Sequence, residues 1–364
     1  MMTNKTIDVI AISYPRGATI FASVCAVTFS VVGAIGNLVT ALALLRCSKL
    51  RQHTTTAFVI SLCVSDLLFC SINLPLTASR YINEAWVLSP TTCKLFPFFF
   101  YGNVAASLLS MVGITLNRYM LISCHTLYNK LYTPCYICLM LLFAWGFSFS
   151  MMVPPLVEAW GRLGLDPPTF SCTILKKDGS SPKKLLFVLG FFLPCVVIII
   201  SYSCIYWKVR KSRQKLQAHS PVIPKQVSIT PSTAQFLPRR EDIRLTRLML
   251  IIFCCFLLCF LPLMLVNVID DEISFPTIHV LASVLAWASS VVNPFIYAGS
   301  NRQYRAAYRN LLCCTRSNPQ GGTCQRAAIG GSLFFSHSHS GSGKTCNTDM
   351  VQYNATSDKV KVMK

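Results

Sequence analysis

The chain has 364 residues, of which 53% are apolar and 13% charged, with 33 Lys and Arg against 13 Asp and Glu for a formal net charge of +20. Soluble domains carry about 25% charged residues, so this composition excludes an ordinary soluble domain. The positive excess does not indicate a nucleic-acid partner, because most of it flanks long apolar segments.

Residues 1–17 are mixed in character and lack the apolar core and small-residue cleavage site of a removable signal peptide. They are expected to form an outer tail, with Asn4 in the glycosylation sequon Asn4-Lys5-Thr6. A membrane span needs about 20 mostly apolar residues. Seven segments qualify, at about 18–46, 54–80, 93–123, 134–156, 184–208, 246–269 and 276–299. All are expected to be helices, since lipid offers their backbone no other partner, and the first is expected to act as an uncleaved anchor. The fold expected is an all-α membrane protein, a seven-transmembrane-helix bundle over 18–300 with an amphipathic eighth helix.

In chain order, the first span holds Gly36-Asn37 and the second the acid Asp66. The third starts at Cys93, carries Phe100, Tyr101, Val104 and Ser107, and ends on Asn117-Arg118-Tyr119. The fourth holds Trp145, and Cys172 lies in the loop that follows. The fifth holds Pro194 and Tyr202, and an inner loop of about 212–240 follows, with Pro221, Pro224, Pro231 and Pro238. Those prolines disfavour a continuous helix and leave room for a cytosolic partner. Asp242 stands at the foot of the sixth span, which contains Phe260 and Pro262. The seventh contains Trp287, Ser290 and Asn293-Pro294-Phe295-Ile296-Tyr297. In 301–314 aromatic and aliphatic residues alternate with arginines at helical spacing and end on Cys313 and Cys314. Such a helix lies in the interface, and its cysteines are palmitoylation candidates or plain thiols. Residues 315–364 are rich in Gly, Ser, Thr and Asn and are expected to be a disordered cytoplasmic tail. A kinase acting on its hydroxyls would create anionic patches for a regulatory partner such as arrestin, or the segment is inert linker.

With the N-terminus outside, the cytoplasmic parts hold 24 of the 33 Lys and Arg. That asymmetry fits the positive-inside rule and sets a basic rim against anionic membrane lipid. The expected location is the plasma membrane, multi-pass, with the N-terminus extracellular and the C-terminus cytoplasmic. Most of the 18 cysteines fall inside spans, where cysteine behaves as a small apolar residue. No Cys/His spacing suits zinc, and no nucleophile–base pair is visible, so an enzyme is not expected.

One motif per span, in this order, resembles the rhodopsin-like (class A) G-protein-coupled receptors over roughly residues 18 to 312. The resemblance implies a disulfide between Cys93 and Cys172, both at the oxidising mouth, where two free thiols are the alternative. It implies an allosteric sodium ion on Asp66, Ser107, Ser290 and Asn293, although Ser289 stands where relatives carry Asn; the alternative is a protonated structural acid. No other cofactor is expected. It implies that Asn117, Arg118, Tyr119, Tyr202, Asp242, Phe260, Pro262, Asn293, Pro294 and Tyr297 form the activation switch and the coupling site for a heterotrimeric G protein. Phe260 replaces the usual Trp, and Asn117 replaces the usual Asp, which either raises basal activity or shifts the restraint on Arg118 to Asp242. Against this stands a simple boundary arginine.

Phe100 replaces the aspartate of amine receptors, and Trp287 replaces the retinal lysine of opsins. The candidate ligand pocket is therefore Phe100, Tyr101, Val104, Phe260 and Trp287, aromatic and largely uncharged. Lys176, Lys177, Lys183, Lys184 and Arg80 supply a basic mouth suited to a lipid-like anion, unless the lysines simply face solvent. Strings such as Trp160-Gly161-Arg162-Leu163-Gly164, Ser171-Cys172-Thr173-Ile174-Leu175 and 244–256 resemble the insect receptor group of Moody and protein trapped in endoderm. That implies roles in cell migration, polarity or epithelial and glial barrier control. The rival reading is a seven-span transporter or channel, but no internal repeat is seen.

Overall fold

The computed structural model describes residues 14–218, 240–269 and 273–314. Asn4, most of the inner loop and the tail 315–364 lie outside the described residues.

Among the described residues, seven helices are long and apolar enough to cross a membrane: α1 (Arg16–Arg46), α2 (Thr54–Asn83), α3 (Pro90–Ser123), α4 (Pro134–Leu156), α5 (Lys183–Ser212), α6 (Arg240–Ile269) and α7 (Pro276–Ser300). An eighth helix, α8 (Arg302–Cys314), follows the bundle. The protein is an all-α seven-span membrane protein, as its hydropathy requires. Side chains that point away from the bundle are apolar: Leu142 and Phe143 of α4 are 69% and 68% exposed, which is where acyl chains lie. Inside, α3 packs on α2, α4 and α5, while α7 packs on α1 and α6.

Among the described residues, two spans depart from α-helical geometry within their length. A π turn occupies Phe69–Asn73 in α2, just before Pro75, and another occupies Val188–Phe192 in α5, just before Pro194. A proline ring collides with the carbonyl four residues back, and the wider turn relieves that clash. In α2 the Leu74 N–H bonds Phe69 O, so the Cys70 carbonyl loses its helical donor. The Ser30 hydroxyl of α1 donates to that carbonyl at 2.8 Å. The irregularity before Pro75 was not expected from sequence. Pro262 and Pro294 lie inside α6 and α7, as expected.

At one end of the bundle, the loop after α4 forms an antiparallel hairpin, β1 (Arg162–Asp166) with β2 (Ser171–Leu175), with Leu165 opposite Cys172. Cys172 is disulfide-bonded to Cys93 in the first turn of α3, with Cα atoms 5.3 Å apart. The bridge therefore ties the hairpin across the bundle mouth. The hairpin itself was not expected from sequence.

At the other end, Asn301 accepts from the Gln303 N–H at 2.8 Å and starts α8. Tyr304 and Ala307 are buried against the bundle while Arg302 and Arg309 are exposed, the one-faced pattern expected. Arg305 donates to the Ala298 and Gly299 carbonyls at 3.1 and 2.8 Å and so closes the C-terminus of α7. Tyr308 and Thr40 are joined hydroxyl to hydroxyl at 3.0 Å, which fixes α8 to α1. The helix covers Cys313 and Cys314, whose side chains lie outside the description.

Close approach of α3 and α4 depends on Gly102. A Cβ there would lie 2.6 Å from the Phe149 ring. That ring is stacked on Trp145 at 6.0 Å and touches Phe98 at 5.3 Å, so it has nowhere to go. Gly102→Val is expected to destabilise the fold by about 1–3 kcal/mol through overpacking. Thermal denaturation of the purified protein in detergent checks this; an unchanged melting temperature would refute it.

Candidate functional site

The centre of the bundle is polar. Asp66 is 2% exposed. Its Oδ2 accepts from the Asn293 amide of α7 at 2.8 Å and its Oδ1 from the Ser107 hydroxyl of α3 at 3.1 Å. Ser107 also reaches Ser65 at 2.9 Å. The Asn37 amide of α1 donates to the Ser290 carbonyl at 2.8 Å, so four helices share one network. Gly36 lets α1 pass against Pro294, whose Cγ would lie 3.1 Å from an added Cβ. A cavity of about 10 Å³ adjoins the acid, with Ser107, Ser290 and Asn293 in its walls, as expected, and Ser289, Phe256 and Phe260 as well. That is about the volume of one water-sized sphere.

At the α8 end, Arg118 is 2% exposed despite its charge. Its Nη1 lies 3.3 Å from the Asp242 carboxylate of α6. Its other Nη donates to the Thr55 hydroxyl of α2. Thr55 in turn donates to the Asn117 side-chain oxygen at 2.7 Å, and the Asn117 amide faces the Tyr128 hydroxyl at 3.4 Å. The neutral Asn117 thus acts as a spacer held by α2. Asp242 is the carboxylate that pairs with Arg118 among the described residues. Tyr297 is fully buried, its ring stacked on Tyr304 of α8 at 5.0 Å. Tyr202 is buried on α5 in the same cluster, with Tyr119 half-buried against it.

At the hairpin end the candidate pocket residues divide. Trp287 is 1% exposed and meets Tyr81 edge to face at 5.8 Å. Phe100 packs with Phe69 at 5.2 Å and Phe96 at 5.7 Å. The Tyr101 hydroxyl turns to Thr173 of the hairpin at 3.1 Å. Phe260 stacks on Phe256 at 4.7 Å, nearer the central cavity. Val104 lies between, in contact with both groups. Lys176, Lys177, Lys183 and Lys184 are exposed. Lys177 and Lys94 instead flank Glu158, whose carboxyl they hold below its usual range, chiefly through the Lys94 hydrogen bond. The cation at the mouth is Arg80: its guanidinium covers the Tyr81 ring at 4.3 Å and donates to the Thr169 carbonyl at 3.3 Å. Phe170, at a left-handed φ of 38°, meets Tyr14 at 5.0 Å and Tyr81 at 5.6 Å. An aromatic residue seldom adopts that φ, and the surrounding rings hold it there. Burial, with Tyr81 adding to it, pushes the Tyr14 phenol up to about 12.

Residues 36–297 match the 7 transmembrane receptor (rhodopsin family). The chain belongs to this family. It is 56% identical over 312 residues to protein trapped in endoderm-1 of Drosophila melanogaster, across 82% of this chain and 79% of that protein. It is 34% identical over 354 residues to the Drosophila melanogaster G-protein coupled receptor moody, across 84% of this chain but only 53% of that longer protein. Squid rhodopsin shares the fold, with a TM-score of 0.70 at 22% identity over 85% of this chain and 89% of its own. The family is one of G-protein-coupled receptors, not of enzymes, and a transporter is not favoured.

Sequence reasoning missed Thr55, the residue that joins Arg118 to Asn117, because a threonine in the first turn of an apolar span carries no signal of its own. It also missed Phe170 and Tyr14, which meet only once the hairpin has folded. In this receptor the Arg118–Asp242 pair joins α3 to α6. Asp242→Asn is expected to raise basal nucleotide exchange on a G protein in reconstituted membrane several-fold, because about 1–3 kcal/mol of charge-assisted bonding is lost. An unchanged basal rate at equal receptor density would show that the pair restrains nothing.

Proposed function

We propose that the receptor reads an extracellular, amphipathic, lipid-like signal and passes it to a heterotrimeric G protein, in the control of cell migration, polarity or epithelial and glial barriers. The observation that carries the signalling half is Arg118, 2% exposed at the foot of α3 and held by Asp242 of α6. A buried guanidinium with one carboxylate partner is costly to keep and costly to unpair. Two arrangements follow, one with the pair closed and one with Arg118 released to a protein that enters beneath α6, and a ligand shifts their populations only through its differential affinity. In this reading the hairpin end faces outward and the α8 end faces the cytoplasm. The asymmetry of Lys and Arg supports that orientation. The tail 315–364 would recruit kinase and arrestin, Asn4 would be glycosylated and Cys313 and Cys314 acylated; Asn4 and the tail lie outside the described residues.

The lipid-like ligand is supported by the uncharged aromatic set Phe100, Tyr101, Val104, Phe260 and Trp287, with Arg80 as the cation near it. The tissue roles are supported by the similarity to protein trapped in endoderm-1 and to moody. Arg118→Ala is expected to reach the cell surface and fail to drive nucleotide exchange, whereas Asn117→Asp, placing a carboxylate beside Arg118, is expected to lower basal exchange. Equal exchange by wild type and Arg118→Ala at matched surface density would overturn the coupling mechanism.

The central network also supports an allosteric sodium ion. The donors fit: hard cations prefer oxygen ligands, and Asp66, Ser107 and Ser290 offer a carboxylate and two hydroxyls beside a cavity of about 10 Å³. The ion would be held by Asp66 with those hydroxyls and would add charge balance to a buried acid. Asp66→Asn is expected to abolish any sodium dependence of agonist affinity and of thermal stability. A sodium shift of the same size in both proteins would remove the ion from this site.

A further inference from the structure

Helices α5 and α6 do not close on each other at the α8 end. Phe191 of α5 meets Phe256 and Phe260 of α6, with rings 6.2 and 6.3 Å apart, half-way up the bundle. Below that level the two helices scarcely touch: α5 packs chiefly on α3, and α6 chiefly on α7. The seam between them is a groove of about 540 Å³, within the range of about 300–1,000 Å³ typical of ligand sites.

Its walls are apolar along most of their length. Ile122, Ile205 and Val209 line the inside, and Tyr206 and Leu250 line the exposed edge. Both edge residues belong to membrane-spanning segments, so the groove opens toward acyl chains. Its far rim is basic: Arg210 of α5 and Arg247 of α6 both line it, and both are exposed. Among the described residues neither has an ion-pair partner. An apolar slot that ends between two exposed cations at the membrane boundary has the shape and charge of a phospholipid with an anionic headgroup.

We propose that the seam between α5 and α6 binds an anionic phospholipid, one acyl chain lying along Ile205, Val209 and Leu250 and the phosphate bridging Arg210 and Arg247. A soluble phosphate satisfies the rim but leaves the walls bare, and a zwitterionic lipid fills the walls but brings its own cation to the rim. Both halves of the site are needed. The site requires only that the chain spans a membrane; it does not depend on ligand class, G-protein coupling or orientation.

The test uses full-length receptor purified in detergent and titrated with dioleoyl phosphatidylserine or dioleoyl phosphatidylcholine, with retained lipid counted by native mass spectrometry. Wild type is expected to retain one phosphatidylserine in preference to phosphatidylcholine. Arg210→Gln with Arg247→Gln, which removes charge and little packing, is expected to weaken that retention about tenfold. Val209→Trp fills the groove and leaves the rim intact, and it too is expected to lose the lipid. Equal retention of both lipids by wild type, or no retention, overturns the proposal and leaves the seam to a protein partner. Undiminished phosphatidylserine on Val209→Trp overturns it as well, because the headgroup would then be held by rim charge alone. Displacement by millimolar glycerol phosphate would show a soluble-anion site instead.

Discussion

Hydrocarbon supplies no hydrogen-bond partner, so a polar side chain inside this bundle gains most from meeting another one, and the pairs that form tie the helices together. Asp66 cannot be buried on α2 unless α3 and α7 bring Ser107 and Asn293 to it. Asn37 cannot be buried on α1 unless the Ser290 carbonyl is opposite. The Trp145 N–H of α4 goes to the Ser61 hydroxyl, which is joined to Ser110 of α3 at 2.9 Å. Lipid tails are as apolar as Leu, so apolar side chains contribute here through close packing and not through removal from water. The polar pairs give register and orientation to helices whose surfaces would otherwise slide.

The irregular turns follow from the same rule. A proline in a span removes one donor and displaces one carbonyl, and in water the solvent would repair the loss. In lipid, the neighbouring helix must do it. Ser30 of α1 serves the Cys70 carbonyl that the π turn of α2 leaves free, so the distortion at one helix is also a bond to the next. A span distorted in this way is held in place by its partner and not weakened at that point.

The architecture was legible because it is written in composition and periodicity. Seven apolar runs, an arginine-striped amphipathic segment and an ordered set of punctuating residues need no long-range information. Helix ends were less legible: α6 begins at Arg240 and not near 246, because a helix continues past the hydrocarbon edge as long as its residues favour it. The central acid and its partners were foreseen, since a carboxylate in lipid has few ways to survive. The hairpin was not, because Arg162–Leu175 lies in the loop after α4 and its two strands are only five residues each. The candidate ligand residues do not gather around one cavity: Tyr101 turns toward Thr173, and Phe260 drops toward the central cavity. Arg80 was named with four lysines as one basic mouth, yet only burial distinguishes the arginine that covers Tyr81 from lysines that face water.

The bundle is unevenly held, and α6 shows it most. Its packing on α7 is extensive, and its packing on α3 is slight. Toward α5 it has the Phe191 rings midway and an open groove below. At the α8 end, one ion pair, buried Arg118 with half-buried Asp242, joins α6 to α3. A packed interface must be dismantled contact by contact, whereas an ion pair is made or broken as a unit and answers to charge nearby. A helix held firmly by packing on one side and joined to α3 by an ion pair on the other is suited to a change of position that is made as a unit.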